Sequence, residues 1–287
     1  MATTYNNLYL DTRNRLRAAG VDAAQLEARE LVCFALDKTR EQLYRDMNLY
    51  VTAQQEARVE ELVQRRLAGE PVAYLIGEWE FYGIPLDISR EVLVPRTDTE
   101  VLAQRAIQLL QQAGDGARLL DLCAGSGCIG LAAAVNAPQS RVVLADWSEG
   151  ALSICRQNVR RNNINARVTC VRADAREPAP SALWDFDVIA CNPPYIPSGE
   201  IDALDPDVKD YEPRMALDGG PDGLDFYRDI AGKWASALRL GGTLLFEVGA
   251  GQAPAVEEIL AKNGFTGINT LPDTHGIWRV VEGRIDA

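Results

Sequence analysis

The chain has 287 residues, 47% of them hydrophobic and 24% charged, and a formal net charge of −12. This is the make-up of an ordinary globular protein with apolar material for one large or two modest domains, and it excludes collagenous, disordered and small disulfide-stapled classes. With 29 basic against 41 acidic side chains, it also argues against a protein that tracks a phosphate backbone, so no nucleic-acid partner is expected.

The first residues, Met1-Ala2-Thr3-Thr4-Tyr5-Asn6-Asn7, are polar and carry no charged-then-apolar leader. The longest apolar run near the glycines, Ile129 to Val135, is too short to span a bilayer. A cytoplasmic chain without membrane contact is expected. The six cysteines (33, 123, 128, 155, 170, 191) form no Cys-x-x-Cys pair, and His275 is the only histidine, read as a loop residue. Neither a metal site nor a disulfide framework is expected, and histidine acid–base chemistry has almost nothing to draw on.

In chain order, residues 4–18 and 22–36 carry apolar positions at helical spacing, including Leu8, Leu16, Leu26, Leu31, Val32 and Leu36. Gly20 is expected to end the first helix and Asp22 to cap the second. Thr52-Ala53-Gln54-Gln55 fits a capping box for a helix running to Ala68, with Val59, Leu62, Val63 and Leu67 inward and Gly69 as its stop. Residues 1–75 therefore read as a small helical bundle. Residues 76–95 read as a β-hairpin connector turning at Gly83-Ile84-Pro85. From residue 96 to 287 strands and helices alternate. Strands are expected at Arg118 to Leu122, Arg141 to Ala145, Arg167 to Arg172, Asp185 to Cys191 and Thr243 to Val248, with a terminal pair at 268–271 and 277–282. Helices are expected from Gly127, over Ser148 to Asn162, Gly223 to Leu240 and Ala253 to Asn263. This rhythm argues a mostly parallel sheet with helices on both faces. The acidic, irregular segment Pro197 to Pro221 is long for a connection without a function.

Two stretches carry chemistry. Gly125-Ser126-Gly127-Cys128-Ile129-Gly130 is a Gly-x-Gly-x-x-Gly between a strand and a helix, where backbone approaches a nucleotide-like ligand and helix N–H groups point at it. Asp146 ends the next strand, placed either to hold a ribose diol or to cap the helix at Ser148. Asp121, at the end of the first strand, suits a cationic sulfonium better than a pyrophosphate, which favours S-adenosylmethionine over a dinucleotide. The second stretch, Asn192-Pro193-Pro194-Tyr195, ends an apolar strand. Neither proline can extend a ladder, and the residue before each is pushed to an extended conformation, giving a stiff loop at the strand's carboxyl end. Taken alone it reads equally well as a turn without chemistry.

Glycine loop and Asn-Pro-Pro-Tyr together resemble the class I methyltransferases that methylate planar amino or amide nitrogens. Further stretches are more particular: Glu78-Trp79-Glu80-Phe81-Tyr82-Gly83, Val94-Pro95-Arg96, Tyr211-Glu212-Pro213-Arg214, Gly223-Leu224-Asp225-Phe226-Tyr227 and Phe246-Glu247-Val248-Gly249. With these the chain resembles the peptide chain release factor glutamine methyltransferases (HemK/PrmC type) over almost its whole length. The resemblance implies a Rossmann-like class I methyltransferase sheet, mostly parallel and seven-stranded, behind a helical domain that recognises the release factor. It implies methyl transfer from S-adenosylmethionine to the glutamine amide nitrogen of a Gly-Gly-Gln tripeptide in class 1 release factors, by a monomer. Cys123, Ala124, Gly125, Ser126, Gly127, Asp146, Ala175 and Asn192 would then hold the cofactor, and Asn192, Pro193, Pro194 and Tyr195 the substrate, with Asn192, Pro193 and Tyr195 catalytic. Arg96 and Glu100 would shape the substrate entrance or form structural ion pairs. Cys123 stands where such enzymes usually have a glycine, Ala124 for a threonine, and Thr97-Asp98 for Pro-Glu. The rival readings are an adenine-amino methyltransferase acting on DNA or RNA, a dinucleotide oxidoreductase and a binding module without catalysis.

Overall fold

The computed structural model describes residues 3–286; residues 1, 2 and 287, at the ends of the first and last expected segments, lie outside the described residues. The chain divides into two compact units, one running to Glu78 and including Pro206–Tyr211, the other holding the remainder.

In the first unit, α1 (Tyr5–Ala18) starts at Thr4, whose hydroxyl accepts from the Asn7 N–H. Next come α2 (Ala24–Leu36), α3 (Arg40–Arg45), α4 (Ala53–Leu67) and α5 (Val72–Ile76). The capping box expected at Thr52 and Gln55 is formed, and a second one at Thr39 and Gln42 starts α3. Asp22 does not cap α2: the helix begins after Ala23, and no side chain takes up its first N–H groups. Leu16, Leu31, Val32, Leu43, Val59 and Val63 are all but fully buried, the inward stripe that helical spacing dictates. At its rim Arg15 pairs with Glu60 and Arg66 with Glu27.

The second unit opens with a hairpin, β1 (Glu78–Phe81) and β2 (Ile84–Asp87). Its turn is Tyr82-Gly83, at φ 51° and 75°, rather than Gly83-Ile84-Pro85. Two consecutive left-handed residues match the right-handed twist of the flanking strands, and Pro85 is tolerated within the strand of a two-stranded ribbon. Then follow α6 (Glu100–Ala113), β3 (Arg118–Leu122), α7 (Cys128–Asn136), β4 (Arg141–Asp146), α8 (Glu149–Arg161), β5 (Val168–Arg172) and β6 (Phe186–Cys191). After α9 (Pro206–Lys209), which belongs to the first unit, the chain closes with α10 (Asp225–Lys233), β7 (Leu238–Glu247), α11 (Ala253–Lys262), β8 (Thr266–Pro272) and β9 (Trp278–Arg284).

Seven strands form one sheet in the order β5-β4-β3-β6-β7-β9-β8, parallel except for β9, which runs antiparallel to both neighbours. This is the mostly parallel, seven-stranded arrangement expected. Every residue of β6 is buried, as a central parallel strand covered on both faces requires. The strand order reverses between β3 and β6, and a ligand crevice belongs at their carboxyl ends. One expected element is wrong: the helix projected to Leu240 stops at Lys233. There the Trp234 indole, fully buried, donates to the Ala175 carbonyl at 3.0 Å. Leu238 then pairs with Phe186, and a bulge precedes the pairing of Val188 with Thr243. Among the described residues no helix is long and apolar enough to cross a membrane.

Candidate active site

A cavity of about 370 Å³ opens at the carboxyl ends of β3, β4 and β6. That lies within the roughly 300–1,000 Å³ of small-molecule sites. The β3–α7 loop forms one wall. Gly125 and Gly127 adopt φ of 55° and 81°, and Cys123, where a glycine is the usual choice, holds φ 61°. A Cβ on Gly130 would lie 2.3 Å from Leu144 Cδ2 and 3.1 Å from Asp121 Cβ, so this glycine lets α7 pack on β3 and β4. Asp121 is fully buried and off the cavity wall: one oxygen accepts the Gly130 N–H at 2.8 Å, and the other has no partner. Burial, together with the charge of Asp146, pushes its carboxyl up to about 7. It staples the loop rather than meeting the ligand directly.

Asp146 is not the helix cap that its position allowed, although it bonds the N–H of the residue that is. Its carboxylate accepts from the Gly125 N–H at 2.9 Å and from the Ser148 N–H at 2.8 Å, and it stands on the cavity wall. Burial raises its pKa. Ser148, not Asp146, is the N-cap of α8. Trp147, half exposed beside it, is covered by the Arg172 guanidinium at 4.3 Å. With Ala175 and Phe226 on the far side, the wall combines an acid for hydroxyls with apolar surface for a flat ring, a donor set that fits S-adenosylmethionine.

Asn192 and Pro194 line the same cavity, as do Cys123, Ala124, Ser126 and Arg96; Gly127, Pro193, Tyr195 and Glu100 do not. The loop after β6 is gripped from behind. The Gln252 side chain donates to the Tyr195 carbonyl at 2.9 Å and accepts from the Gly249 N–H at 2.9 Å. Ile196 pairs with Asp218, and a Cβ on Gly219 would lie 2.7 Å from Tyr195 Cα and 2.8 Å from the Pro194 carbonyl oxygen. The Tyr195 ring packs against Gly249, and burial raises its hydroxyl to about 12.

Asn192 Nδ2 donates to Thr99 Oγ1 at 3.4 Å, and both side chains favour the ionised form of the Glu247 carboxylate. Glu247 is buried, and burial pushes it up to about 7, against the pull of Thr99 and Arg279. Sequence reasoning assigns no role to Thr99, Glu247 or Gln252. For Glu247 the signals were its place in the Phe246-Glu247-Val248-Gly249 stretch and an acid closing the apolar run Leu244-Leu245-Phe246, since charge is rarely left on a buried strand without a use. Glu212 takes the Arg96 guanidinium on both oxygens at 2.8 Å and also accepts the Val94 N–H at 3.3 Å. Arg96 thus both lines the cavity and forms a structural ion pair. Glu100 accepts the Tyr82 N–H at 3.2 Å.

Comparison with known proteins places the chain in a family. Residues 7–77 match the PrmC N-terminal domain, and residues 98–204 match the methyltransferase small domain. The release factor glutamine methyltransferase of Geobacter sulfurreducens is 42% identical, covering 96% of this chain and 94% of its own. That of Thermodesulfovibrio yellowstonii is 40% identical over 89% of this chain and 90% of its own. Among solved structures, a methyltransferase from Pyrococcus furiosus superposes with a TM-score of 0.53 at 19% identity, covering 78% of this chain and 98% of its own, a likeness of fold.

Proposed function

The chain belongs to the release factor glutamine methyltransferase family, and from that premise we propose that it methylates the side-chain amide nitrogen of the Gly-Gly-Gln glutamine in class 1 release factors. The observation that carries the reading is that Asn192 stands on the wall of the cavity formed by the glycine loop and Asp146. Reacting amide and methyl donor therefore have one place to meet.

When bound, S-adenosylmethionine supplies a methyl group made electrophilic by its sulfonium. The protein's task is to hold the nucleophile. An amide nitrogen is a poor nucleophile because its lone pair is delocalised into the carbonyl, and no side chain on the wall is a base strong enough to deprotonate it. Asn192 Oδ1 and the Pro193 carbonyl oxygen each accept one amide N–H. This fixes the nitrogen in line with the methyl group and favours positive charge as it develops there. Orientation of this kind supplies roughly 7–11 kcal/mol in well-aligned reactions. Tyr195 acts by stiffening the loop from behind. Asp146 would hold the ribose hydroxyls of the cofactor, with Cys123 to Ser126 and Ala175 completing its site and Gly127 shaping the loop from behind. In this reading the helical unit recognises the release factor, and the enzyme works in the cytoplasm as a monomer, with neither nucleic acid nor membrane.

The test is incubation of the protein with methyl-labelled S-adenosylmethionine and either a release factor or nucleic acid. Label is expected in the release-factor glutamine, and Asn192→Ala is expected to lower kcat by about 10²–10³-fold. Label confined to nucleic acid would overturn the reading.

A further inference from the structure

The side-chain amide of Asn192 can face the substrate in two ways, and only one is useful. The reacting nitrogen brings two N–H donors, so it must meet Oδ1 and not the Nδ2 amino group. Building on the function proposed above, we propose that Thr99 and Glu247 are positioning residues that hold the Asn192 amide with Oδ1 toward the reacting nitrogen.

The direction of the hydrogen bonds follows from the chemistry of the groups. An ionised carboxylate only accepts. Thr99, which favours the ionised form of Glu247, can only donate its single hydroxyl proton to that acid, which leaves Oγ1 lone pairs to receive Asn192 Nδ2 at 3.4 Å. The Asn192 amide also favours the ionised form of Glu247, which draws the second Nδ2 hydrogen the same way. With both amide protons committed, Oδ1 is the atom left for a ligand. Turning the amide over would set Oδ1 against the Glu247 carboxylate, acceptor against acceptor. No solvent can repair that, because Thr99 is 2% and Glu247 3% exposed.

A second observation points the same way. Glu247 Oε2 is buried without a hydrogen-bond partner. An uncompensated carboxylate oxygen costs stability, and such groups persist where they serve a function. The titratable and charged groups facing Glu247 are Asp98 before α6, Cys128 on α7, Tyr195 after β6, Tyr227 on α10 and Arg279 on β9. Arg279 favours the ionised form, but Asp98 and Asp273 hold it at 2.9 and 3.0 Å, so it is not given over to Glu247. Burial leaves the carboxyl at about 7. Below that pH the acid gains a proton of its own and becomes a donor. Thr99 is then free to turn its hydroxyl toward Asn192, and the amide loses its fixed direction.

The experiment measures kcat and KM with a release factor between about pH 6 and 9 for the native enzyme, Glu247→Gln, Thr99→Val and Thr99→Ser. The native kcat is expected to fall below about pH 7. Glu247→Gln, whose amide can donate as well as accept, should lower kcat about 10- to 100-fold, remove the acid limb and leave KM for S-adenosylmethionine within about twofold. Thr99→Val should lower kcat similarly, and Thr99→Ser, which keeps the hydroxyl, should recover most of the loss. Native kcat with an unchanged acid limb in Glu247→Gln defeats the proposal. Should that variant not fold, native kcat in Thr99→Val defeats it equally. A native enzyme that leaves the release factor unlabelled sinks the parent reading instead, so the two failures are separable.

Discussion

An asparagine offers its carbonyl oxygen to a ligand only if something else occupies its amide protons, and at Asn192 that task falls to two buried side chains, Thr99 and Glu247. The same economy governs the opposite wall, where single residues do structural work that the ligand never touches. Gly130 is the clearest case. A methyl group there would meet Leu144, Val142 and Asp121, all buried, with no room to yield. Gly130→Ala is expected to cost about 1–3 kcal/mol, read as a lower urea midpoint with an unchanged slope. Because Asp121 is bonded to the N–H of that same residue, the substitution should also disturb the glycine loop. A midpoint equal to the native one would show that α7 packs less closely than the structure has it.

At the scale of elements, the segment from Pro197 to Pro221 illustrates what a long irregular stretch can be for. Part of it, Glu212 to Gly220, forms a scaffold for the loop after β6. Glu212 fixes Arg96 and the Val94 N–H, Ile196 pairs with Asp218, and Gly219 lies directly on Pro194 and Tyr195. Gly219→Ala must displace backbone, not a flexible side-chain tip, so the Asn192 loop should move while the core stays intact. The expected result is a 10- to 100-fold lower kcat with little change in melting temperature, since small misplacement of a positioning group costs about that much. A large fall in melting temperature with kcat intact would instead make Gly219 a residue of the core.

This contact also explains which parts of the site were legible. Asn192, Asp146 and the glycines stand in short contiguous motifs whose chemistry follows from residue type and spacing. Thr99 on one side, and Glu247 at the end of β7 with Gln252 just after it on the other, come from stretches remote from Asn192 in the chain and meet it only when β6 and β7 lie side by side. No local pattern carries that information. The helix wrongly continued to Leu240 failed for a related reason: the burial of Trp234 against Ala175 and the pairing of Leu238 with Phe186 override a local sequence that reads as helical.

For the whole molecule, the two buried acids set a conflict between stability and activity. Asp121 and Glu247 stand at about 7 in the fold, against roughly 4 in an unfolded chain. Across about pH 4 to 7 the folded state therefore binds protons that the unfolded chain has released, and stability falls as pH rises through that window. Asp46 and the exposed Glu60, lowered to about 2 by hydrogen bonds from Arg45 and Arg15, act oppositely: their contribution is present above about pH 4 and lost as pH drops below it. Urea midpoints are expected to be highest near pH 4 and to decline toward pH 7, with Asp121→Asn flattening the decline. A midpoint that rises between pH 4 and 7 would contradict this. Activity, which needs Glu247 ionised, should climb over the same interval.

The sequence by itself determined the alternation of strands and helices, the capping of α4 and the stiff Asn-Pro-Pro-Tyr exit. It also determined the place of an acid after the second parallel strand, because each follows from periodicity, proline geometry or a side chain acting on its own neighbours. Only the tertiary structure decided that Asp121 staples the loop, that Tyr195 stands behind the slot and that Asn192 answers to Glu247. Those roles depend on burial and on partners far apart in the chain. Burial is also what gives the two acids their unusual proton affinity, a property that no residue has until the sheet closes around it.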